Sequence, residues 1–425
     1  MGVRRLIVHP SKVEGEVKAP PSKSYTHRAI YASLLAGGVS MINNPLVSGH
    51  TKATMGAVEA FGASLHFAGD RLEVSAPSRP LWPGSVNAGN SATTLRIAMA
   101  VASLVERPSV VYGDESLNRR PVGPLARALR ELGAEVIASP GDTPPVAVKG
   151  FREPRASRVE VDASISSQFL TALLMLSAYT GVEVKASRVS SKPYIDITIR
   201  VLDAYGVKFD LDPAEGVYSP RGTLRPSQTS IPGDWSSAAI MLVAGAIAGR
   251  VRVNGLSIDD VQGDKVIVDH LRAAGVKVRL GDGWVEAEAP LKLEPIDVNL
   301  DSTPDIAPPL AVLASYASGI SILRGVSRLK AKESNRLEAI ATNLARLGVE
   351  AVIACGGDCL AIKGGRPRGG VVRGFGDHRI IMSFAVAGLA SERPVEVIDN
   401  IVKVGESYPG FLEDLKGIGG RVEVA

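Results

Sequence analysis

The sequence predicts an α/β protein made of six copies of one structural unit, arranged as two domains of three units each. An amphipathic helical pattern precedes each of six glycines, and two short alternating runs separated by a turn follow it. The length of 425 residues exceeds what one hydrophobic core usually covers, so two domains are the simplest packing. The glycines are Gly62, Gly133, Gly206, Gly275, Gly348 and Gly419, so successive members differ by 71, 73, 69, 73 and 71 residues.

The repeat period indicates what each unit contains. It is too long for a solenoid of helix pairs, and it leaves room for about two strand–helix pairs and a closing strand. Residues 273–288 show the helix end and hairpin most clearly, because polar and apolar residues alternate on both sides of a Gly-Asp-Gly turn. Parallel strands joined by helices, together with one antiparallel strand, form an α/β unit.

Two breaks in the pattern predict the domain boundaries. Pro-Gly within residues 229–234 separates the third copy from the fourth, and Pro20-Pro21 precedes the first. We therefore expect one domain of residues 21–231 and another of residues 1–20 plus 232–425, in which the N-terminal segment completes a sheet. The chain would cross between domains twice, with the active site in the cleft between them.

The amino-acid composition argues against some classes of function. The chain is 45% hydrophobic, 22% charged and 5% aromatic, with a net charge of +4 and no dense basic tract. These values argue against a nucleic-acid groove and favour small acidic ligands. The apolar run of residues 238–248 is too short to span a bilayer, and no secretory h-region begins the chain, so a cytoplasmic protein is expected.

The cysteines suggest no metal site. Only Cys355 and Cys359 are present, with six histidines, and no local set of ligands for zinc forms. We interpret both cysteines as ordinary strand or hairpin residues. A disulfide between them remains an alternative if the source is hyperthermophilic.

Several helix starts in the first half combine hydroxyl groups with cations, as anion sites do. In residues 20–28, Lys23 and Arg28 flank a helix start that Ser22 or Ser24 could cap. Similar starts follow, each of which could equally be a solvated helix cap. They contain Asn90 with Arg96, Arg120 beside a proline, the cluster Ser166, Ser167 and Gln168, and Ser191.

In the second half of the chain, acidic residues accompany the cations near the helix starts. Asp234 and residues 262–264 suit caps or structural roles, whereas Asp305 could be a helix cap or a general base. Residues 330–336 combine three cations with Glu333, and residues 375–379 end in Asp-His-Arg. Either segment could be a solvated turn, but together these starts predict a cleft for substrates with two or more phosphate or carboxylate groups.

These segments, in this order, closely resemble the 5-enolpyruvylshikimate-3-phosphate synthase family. The matching motifs are Pro-Ser-Lys-Ser-x-x-x-Arg, Gly-Asn-Ser-x-Thr-Thr-x-Arg, Arg-Pro, Ser-Ser-Gln-Phe-Leu, Ser-Lys-Pro-Tyr-Ile-Asp, Pro-Asp, Lys-Glu-Ser-Asn-Arg and Asp-His-Arg. The resemblance implies two domains, each of three βαβαββ units in a pseudo-threefold, inside-out barrel. It also implies transfer of the enolpyruvyl group of phosphoenolpyruvate to the 5-hydroxyl of shikimate 3-phosphate, by a monomer with no metal or organic cofactor and no nucleic-acid or membrane partner.

The resemblance also assigns residues to ligands. Asp305 would be the base for the 5-hydroxyl, Glu333 the acid for the methylene carbon, and Lys23 an aid to proton transfer. Shikimate 3-phosphate would be held by Lys23, Ser24, Arg28, Ser166, Ser167, Gln168, Ser191, Asp305 and Lys332. Phosphoenolpyruvate would be held by Lys23, Asn90, Arg96, Arg120, Gln168, Arg336 and Arg379.

Three positions depart from the family pattern. Ala92 stands where many members have glycine, and its methyl group is expected to reduce sensitivity to glyphosate. Residues 48–51 replace a common acidic pair, and Glu406 stands where some members have a lysine that contacts phosphoenolpyruvate. Lys403 is a candidate replacement for that lysine.

Two other function classes compete with this interpretation. The related transferase that acts on UDP-N-acetylglucosamine usually has a reactive cysteine in its N-terminal half, whereas both cysteines here lie beyond residue 350. A non-catalytic anion-binding protein is the other alternative. Asp305 and Glu333 argue against it, because nearby carboxylates weaken anion binding.

Overall fold

The computed structural model describes residues 4–425, which form helices and strands throughout. The α-helices are α1 Lys23–Ala36, α2 Gly49–Ala60, α3 Ala92–Ala102, α4 Gly123–Glu131, α5 Ser167–Thr180, α6 Pro193–Ala204, α7 Trp235–Ala248, α8 Ile267–Ala273, α9 Ala307–Ser315, α10 Arg336–Arg346, α11 His378–Ala387 and α12 Phe411–Gly417. The strands of the first half are β1 Arg4–His9, β2 Val13–Lys18, β3 Gly38–Asn43, β4 Ser64–Ala68, β5 Arg71–Ala76, β6 Ser85–Asn87, β7 Ser109–Tyr112, β8 Glu135–Ser139, β9 Thr143–Lys149, β10 Arg158–Asp162, β11 Glu183–Ser187, β12 Val207–Asp212, β13 Val217–Gly222 and β14 Gln228–Ser230. Those of the second half are β15 Gly249–Asn254, β16 Lys277–Gly281, β17 Trp284–Glu288, β18 Asp297–Asn299, β19 Ile320–Arg324, β20 Glu350–Ala354, β21 Cys359–Lys363, β22 Gly370–Arg373, β23 Val395–Asp399 and β24 Arg421–Val424.

The six repeat glycines end helices, as the sequence predicts. Each lies two residues beyond the last residue of α2, α4, α6, α8, α10 or α12. All six adopt positive φ, from 79° at Gly348 to 104° at Gly133. Residues with a Cβ rarely adopt this left-handed conformation, so glycine recurs where the chain leaves the helix and enters the hairpin.

The strands of residues 4–425 form six four-stranded sheets of one design. Each sheet has one parallel pair at an edge and antiparallel pairing elsewhere, which confirms the predicted α/β class. The sixth hairpin takes its second strand from the start of the chain, because β24 pairs with β1. The strand orders are β14-β3-β5-β4, β6-β7-β9-β8, β10-β11-β13-β12, β16-β17-β15-β2, β18-β19-β21-β20 and β22-β23-β1-β24.

The chain forms two compact units. One comprises Pro21–Ile231, and the other comprises Pro232–Ala425 with the described part of Met1–Pro20. In the first unit α1, α3 and α5 pack on one another, and in the second α7, α9 and α11 do so. The apolar sequences of these helices explain this, since a helix that is hydrophobic on all sides must be buried. In α7, for example, residues 235–246 are all buried.

These central helices begin earlier than their apolar runs suggest. The sequence places the apolar runs at residues 29–36 and 97–104, yet α1 begins at Lys23 and α3 at Ala92. The polar residues of both motifs therefore belong to the first turns of buried helices, where backbone N–H groups lack partners within the helix.

The interpretation of the cysteines as ordinary residues is wrong. Cys355 and Cys359 form a disulfide between the ends of β20 and β21, with Cα atoms 5.3 Å apart. The tight turn between the two strands brings the residues within the range a disulfide can span. No helix within residues 4–425 has both the length and the apolar character needed to cross a membrane.

Candidate active site

The centre of the candidate site in the second unit is the buried guanidinium of Arg336. Its side chain is only 1% exposed. Nε donates to Asp377 Oδ2 at 2.8 Å, one terminal nitrogen to Asp305 Oδ1 at 2.9 Å, and the other to Glu333 Oε2 at 2.6 Å. One planar cation therefore holds three carboxylates from three separate segments of the chain.

Local structure explains how these side chains reach Arg336. Arg336 is the first residue of α10, which Asn335 caps by accepting from the N–H of Glu338. Asp377 caps α11 by accepting from the N–H of Arg379. Asp305 lies in the 3-10 turn Pro304–Ile306 before α9, and the N-cap positions of that turn and of α9 are occupied by Thr303 and Ile306.

Asp305 receives cations from three directions. Besides Arg336, Arg379 approaches Oδ2 at 3.2 Å and Lys332 approaches Oδ1 at 3.5 Å. Cations in contact with a carboxyl group favour its charged form, which is the form a general base needs. Glu333 shares Arg336 with Asp305 and contributes a second carboxyl group close to the same guanidinium.

Charge pairing shifts the pKa of the cations in this cluster. Burial alone would lower the pKa of Arg336, but Asp377, Glu333 and Asp305 outweigh it and raise that pKa well above its ordinary value. Burial lowers the pKa of the Lys332 ammonium, and Asp305 only partly opposes that shift. Arg336 is thus fixed as a cation, whereas Lys332 loses its proton more readily than a surface lysine.

Asp264 is a further buried acid near this cluster. Burial, followed by the charge of Asp305, raises its pKa to about 7, while a hydrogen bond from Ser236 opposes the shift. Its other carboxylate oxygen is buried and has no hydrogen-bond partner among residues 4–425. The sequence suggests only a structural role for Asp264. No pattern in the sequence around it indicates that it lies near Asp305.

Asp264→Asn is expected to stabilise the protein more at pH 8 than at pH 5. The pKa of Asp264 is about 7 in the folded chain and about 3.9 when unfolded, so the folded state binds more protons between these values. Stability therefore falls as pH rises from about 4 to 7, by about 1.4 kcal/mol for each pKa unit. Thermal unfolding at the two pH values tests this, with the exposed Asp269→Asn as control. An equal effect of Asp264→Asn at both pH values would contradict it.

The candidate site in the first unit joins the starts of α3 and α5. Arg96 donates to Ser166 Oγ at 2.9 Å and to Gln168 Oε1 at 2.6 Å, and its guanidinium lies over the ring of Phe169. Gln168 donates back to Thr93 at 3.1 Å. The structure therefore brings together two of the predicted motifs. Ser166 also caps α5 by accepting from the N–H of Gln168.

The remaining predicted residues of this unit occupy neighbouring turns. Arg120 donates to Asn90 Oδ1 at 3.2 Å, which joins two further motifs. Ser167 and Ser191 are buried, and Ser191 adopts a positive φ of 48° just before α6. Ser24 lies half-buried in the first turn of α1, and Ser22 occupies the N-cap position without a side-chain capping bond.

Arg28 makes more hydrogen bonds within the protein than the sequence suggests. It is 2% exposed, and four of its N–H groups donate to the side chains of Thr198 and Thr171 and to the carbonyl groups of Ser24 and Tyr194. These bonds tie α1 to α5 and α6. A guanidinium has five N–H donors, so little of Arg28 remains for a phosphate.

Lys23 lies at the first position of α1 and contacts His50. Its Nζ is 3.4 Å from Nδ1 of His50. Burial, then the charges of Lys23 and Arg28, lowers the pKa of His27 well below its ordinary value, so His27 stays neutral. His27 contacts Thr54 at 2.6 Å, and Thr54 contacts Thr94 on α3.

A family model described as EPSP synthase (3-phosphoshikimate 1-carboxyvinyltransferase) matches residues 7–415. The chain belongs to the EPSP synthase family. It is 51% identical over 420 residues to 3-phosphoshikimate 1-carboxyvinyltransferase of Aeropyrum pernix, with 99% of this chain and 96% of the relative covered. It is 41% identical to the enzyme of that name in Pyrococcus abyssi, with 98% of each chain covered.

Solved structures of EPSP synthase share the whole fold. The EPSP synthase of Acinetobacter baumannii matches with a TM-score of 0.82 and 25% identity, and each chain is covered completely. The enolpyruvyl transferase NikO of Streptomyces tendae matches with a TM-score of 0.80 at 20% identity, covering 100% of this chain and 99% of that one, which bears on the fold alone.

The structure shows the burial or the contacts of two residues that depart from the family pattern. Ala92 is the first residue of α3 and is 8% exposed. Glu406 Oε2 lies 3.3 Å from Nδ1 of the buried His378, and its Oε1 lies 3.8 Å from Nζ of Lys403. Lys403 thus brings a cation beside the acid that stands at the position of the family lysine.

Sequence reasoning missed three residues of the site. Asp377 stands in the quoted Asp-His-Arg motif, and its place as a helix cap next to an arginine could have revealed it. Asp264 carries no such signal, because its neighbour Asp305 lies far away in the sequence. His50 falls within residues 48–51, which depart from the family pattern, but its neighbour Lys23 also lies far away in the sequence.

Proposed function

We propose that this chain transfers the enolpyruvyl group of phosphoenolpyruvate to the 5-hydroxyl of shikimate 3-phosphate and releases phosphate. The Arg336 cluster supports this most directly. One guanidinium holds Asp305 and Glu333 close together, and the reaction needs one carboxyl group as base and another as acid. Asp305, beside three cations, suits the base, and the resemblance to the family assigns Glu333 as the acid. The names of the relatives agree with this reaction.

The first half of the reaction is an addition. Asp305 takes the proton of the 5-hydroxyl, and the oxygen forms a bond to C2 of phosphoenolpyruvate. The electron pair of the C2–C3 double bond takes a proton from Glu333, so C3 becomes a methyl group. The resulting tetrahedral intermediate still carries the phosphate, and Glu333 is now a carboxylate.

The second half is an elimination. The bond from C2 to the phosphate oxygen breaks, and phosphate leaves with the proton that Asp305 had taken. Glu333 removes a proton from the methyl group, which restores the double bond in the product. Both carboxyl groups therefore return to their starting states, and Lys23 assists these proton transfers through its positive charge.

The proposed ligands are divided between the two units. In the first unit, Lys23, Ser24, Ser166, Ser167, Gln168 and Ser191 bind shikimate 3-phosphate, with Arg28 contributing at most its one remaining donor. Phosphoenolpyruvate is bound there by Lys23, Asn90, Arg96, Arg120 and Gln168. In the second unit, Asp305 and Lys332 serve the first substrate, and Arg336 and Arg379 the second. Two phosphates and two carboxylates need several cations when they leave water, which accounts for the number of cations.

We further propose that the protein works as a monomer in the cytoplasm. The relation to the EPSP synthase family supports both statements. Size-exclusion chromatography with light scattering tests the first, and a mass of two chains would contradict it.

Phosphate release tests the proposed reaction. Purified protein is mixed with phosphoenolpyruvate and shikimate 3-phosphate, and in parallel with phosphoenolpyruvate and UDP-N-acetylglucosamine. Release only with shikimate 3-phosphate, and its loss in Asp305→Ala, is expected. Release only with the nucleotide sugar would identify the other transferase, and binding of both ligands without release would indicate an anion-binding protein.

Ala92→Gly is expected to increase inhibition by glyphosate. The methyl group of Ala92 is buried at the start of α3, where an inhibitor longer than phosphoenolpyruvate would be crowded. Relief of such crowding by about 1.4 kcal/mol corresponds to an inhibition constant about tenfold lower. Inhibition is measured against phosphoenolpyruvate for both proteins. Equal inhibition constants would refute this prediction.

A further inference from the structure

The catalytic candidate Lys23 has a histidine neighbour to which the proposed function assigns no role. His50 is the second residue of α2 and is 4% exposed. The capping box between Ser48 and Thr51 fixes the start of this helix. His50 Nδ1 lies 3.4 Å from Lys23 Nζ, so a rigid helix start holds an imidazole against the lysine.

The contact with Lys23 favours one protonation state of His50. A lysine ammonium has three donors and no acceptor. His50 Nδ1 accepts from it only through a lone pair, which places the ring proton on Nε2 and leaves the ring neutral. A protonated His50 would set an N–H group against the ammonium and bring a second positive charge within 3.4 Å.

We propose that neutral His50 is a positioning residue for Lys23, and that protonation of His50 in mild acid releases Lys23 from the geometry the reaction needs. The inference rests on the role of Lys23 in the proposed function. His50 holds the Lys23 ammonium at a fixed position beside the start of α2. Turnover is expected to fall on the acidic side as His50 gains a proton.

The elements that pack against α2 bring a few other charged or titratable groups toward His50. This helix packs against α1, α3, β4 and β6. From α1 come His27, which stays neutral, and the fixed cation Arg28. From α3 comes Arg96, which is bonded to Ser166 and Gln168.

The other elements bring no buried charge toward it. β4 carries His66, which is exposed, and β6 has no titratable side chain. On α2 itself, Lys52 and Glu59 are exposed.

Three variants of His50 separate positioning from packing. His50→Asn keeps an acceptor close to the position of Nδ1 but does not titrate, His50→Asp offers a charged acceptor, and His50→Ala offers none. The exposed His66→Asn is the control. The ratio kcat/KM for phosphoenolpyruvate is measured from pH 5 to pH 9 at saturating shikimate 3-phosphate.

The expected results differ between variants. His50→Asn and His50→Asp retain kcat/KM within about threefold at pH 8 and lose the fall in activity that we expect of the wild type in mild acid. His50→Ala loses about tenfold or more at pH 8, and His66→Asn follows the wild-type profile. A wild-type acidic limb in His50→Asn, or full activity of His50→Ala at pH 8, would overturn the proposal.

A measurement without turnover keeps this test separate from the proposed function. Nitrogen-15 NMR of the histidine rings, with His50 assigned through His50→Asn, reports which ring nitrogen carries the proton. We expect the Nε2–H form in the wild type, and protonation at a pH roughly one unit higher in Lys23→Met, which lacks the ammonium. A proton on Nδ1, or an unchanged titration in Lys23→Met, would overturn the contact even if the enzyme is active. Absence of turnover in the wild type would instead refute the proposed function alone.

Discussion

Asp305→Asn is expected to lower kcat by about 10²- to 10⁴-fold, the usual contribution of a general base. The amide has nearly the shape of the carboxylate but cannot accept the 5-hydroxyl proton. It also leaves Lys332, Arg336 and Arg379 with one negative charge fewer. Phosphoenolpyruvate should therefore bind at least as well as in the wild type, so the loss should fall on kcat rather than on binding.

Steady-state kinetics and direct binding of both substrates test this effect. Asp301→Asn is the matched control, because Asp301 is an acid four residues away whose side chain is 54% exposed and paired with Arg328. We expect that control to retain nearly full activity. Turnover of Asp305→Asn close to that of the wild type, with normal thermal unfolding, would remove Asp305 from the role of base.

Arg336→Met is expected to destabilise the second unit by about 3–5 kcal/mol and to abolish activity. Removing one partner of a buried ion pair leaves the opposite charge without compensation in a medium of low polarity. Here three carboxylates would lose their shared cation, and Asp377, which is fully buried, would suffer most. For a unit of this size the loss corresponds to a melting temperature lower by roughly 10 °C.

Arg336→Lys tests whether charge alone is sufficient. A lysine has the positive charge but not the planar fork, so it cannot reach Asp305, Glu333 and Asp377 together. We expect it to recover part of the stability and little of the activity. Arg346→Met, at the exposed end of the same helix, is the control for both variants. Unfolding of Arg336→Met at the wild-type temperature would show that the carboxylates find other partners.

The repeat architecture could be predicted from the sequence because each unit carries its own local signal. A glycine at Gly62 or Gly348 stops a helix through backbone conformation alone, and the alternating runs after it form a hairpin by local pairing. The pairing of β24 with β1 carries no such signal, because the two strands lie at opposite ends of the chain.

The candidate site could be predicted only as a set of motifs. Cations and hydroxyls at helix starts are visible in the sequence, but their partners depend on tertiary packing. Arg28 has the sequence pattern of an anion ligand, yet most of its donors bind protein oxygens. The raised pKa of Asp264 arises from burial and from Asp305, and neither is encoded near residue 264.

The disulfide shows a different limit of sequence reasoning. Two cysteines four residues apart are compatible with ordinary hairpin residues or, in a hyperthermophilic source, with a disulfide. Whether Cys355 and Cys359 meet depends on the turn between them, which the structure closes so that the two Cα atoms lie 5.3 Å apart.

The most direct test of the proposed reaction is deuterium incorporation into its product. Protein, phosphoenolpyruvate and shikimate 3-phosphate are mixed in D₂O, and the product is examined by mass spectrometry and proton NMR. Protonation of C3 by Glu333, followed by loss of a proton from the resulting methyl group, predicts an enol ether of shikimate 3-phosphate with deuterium in its methylene group. An enol ether without deuterium, or the formation of pyruvate in its place, would contradict addition and elimination at this site.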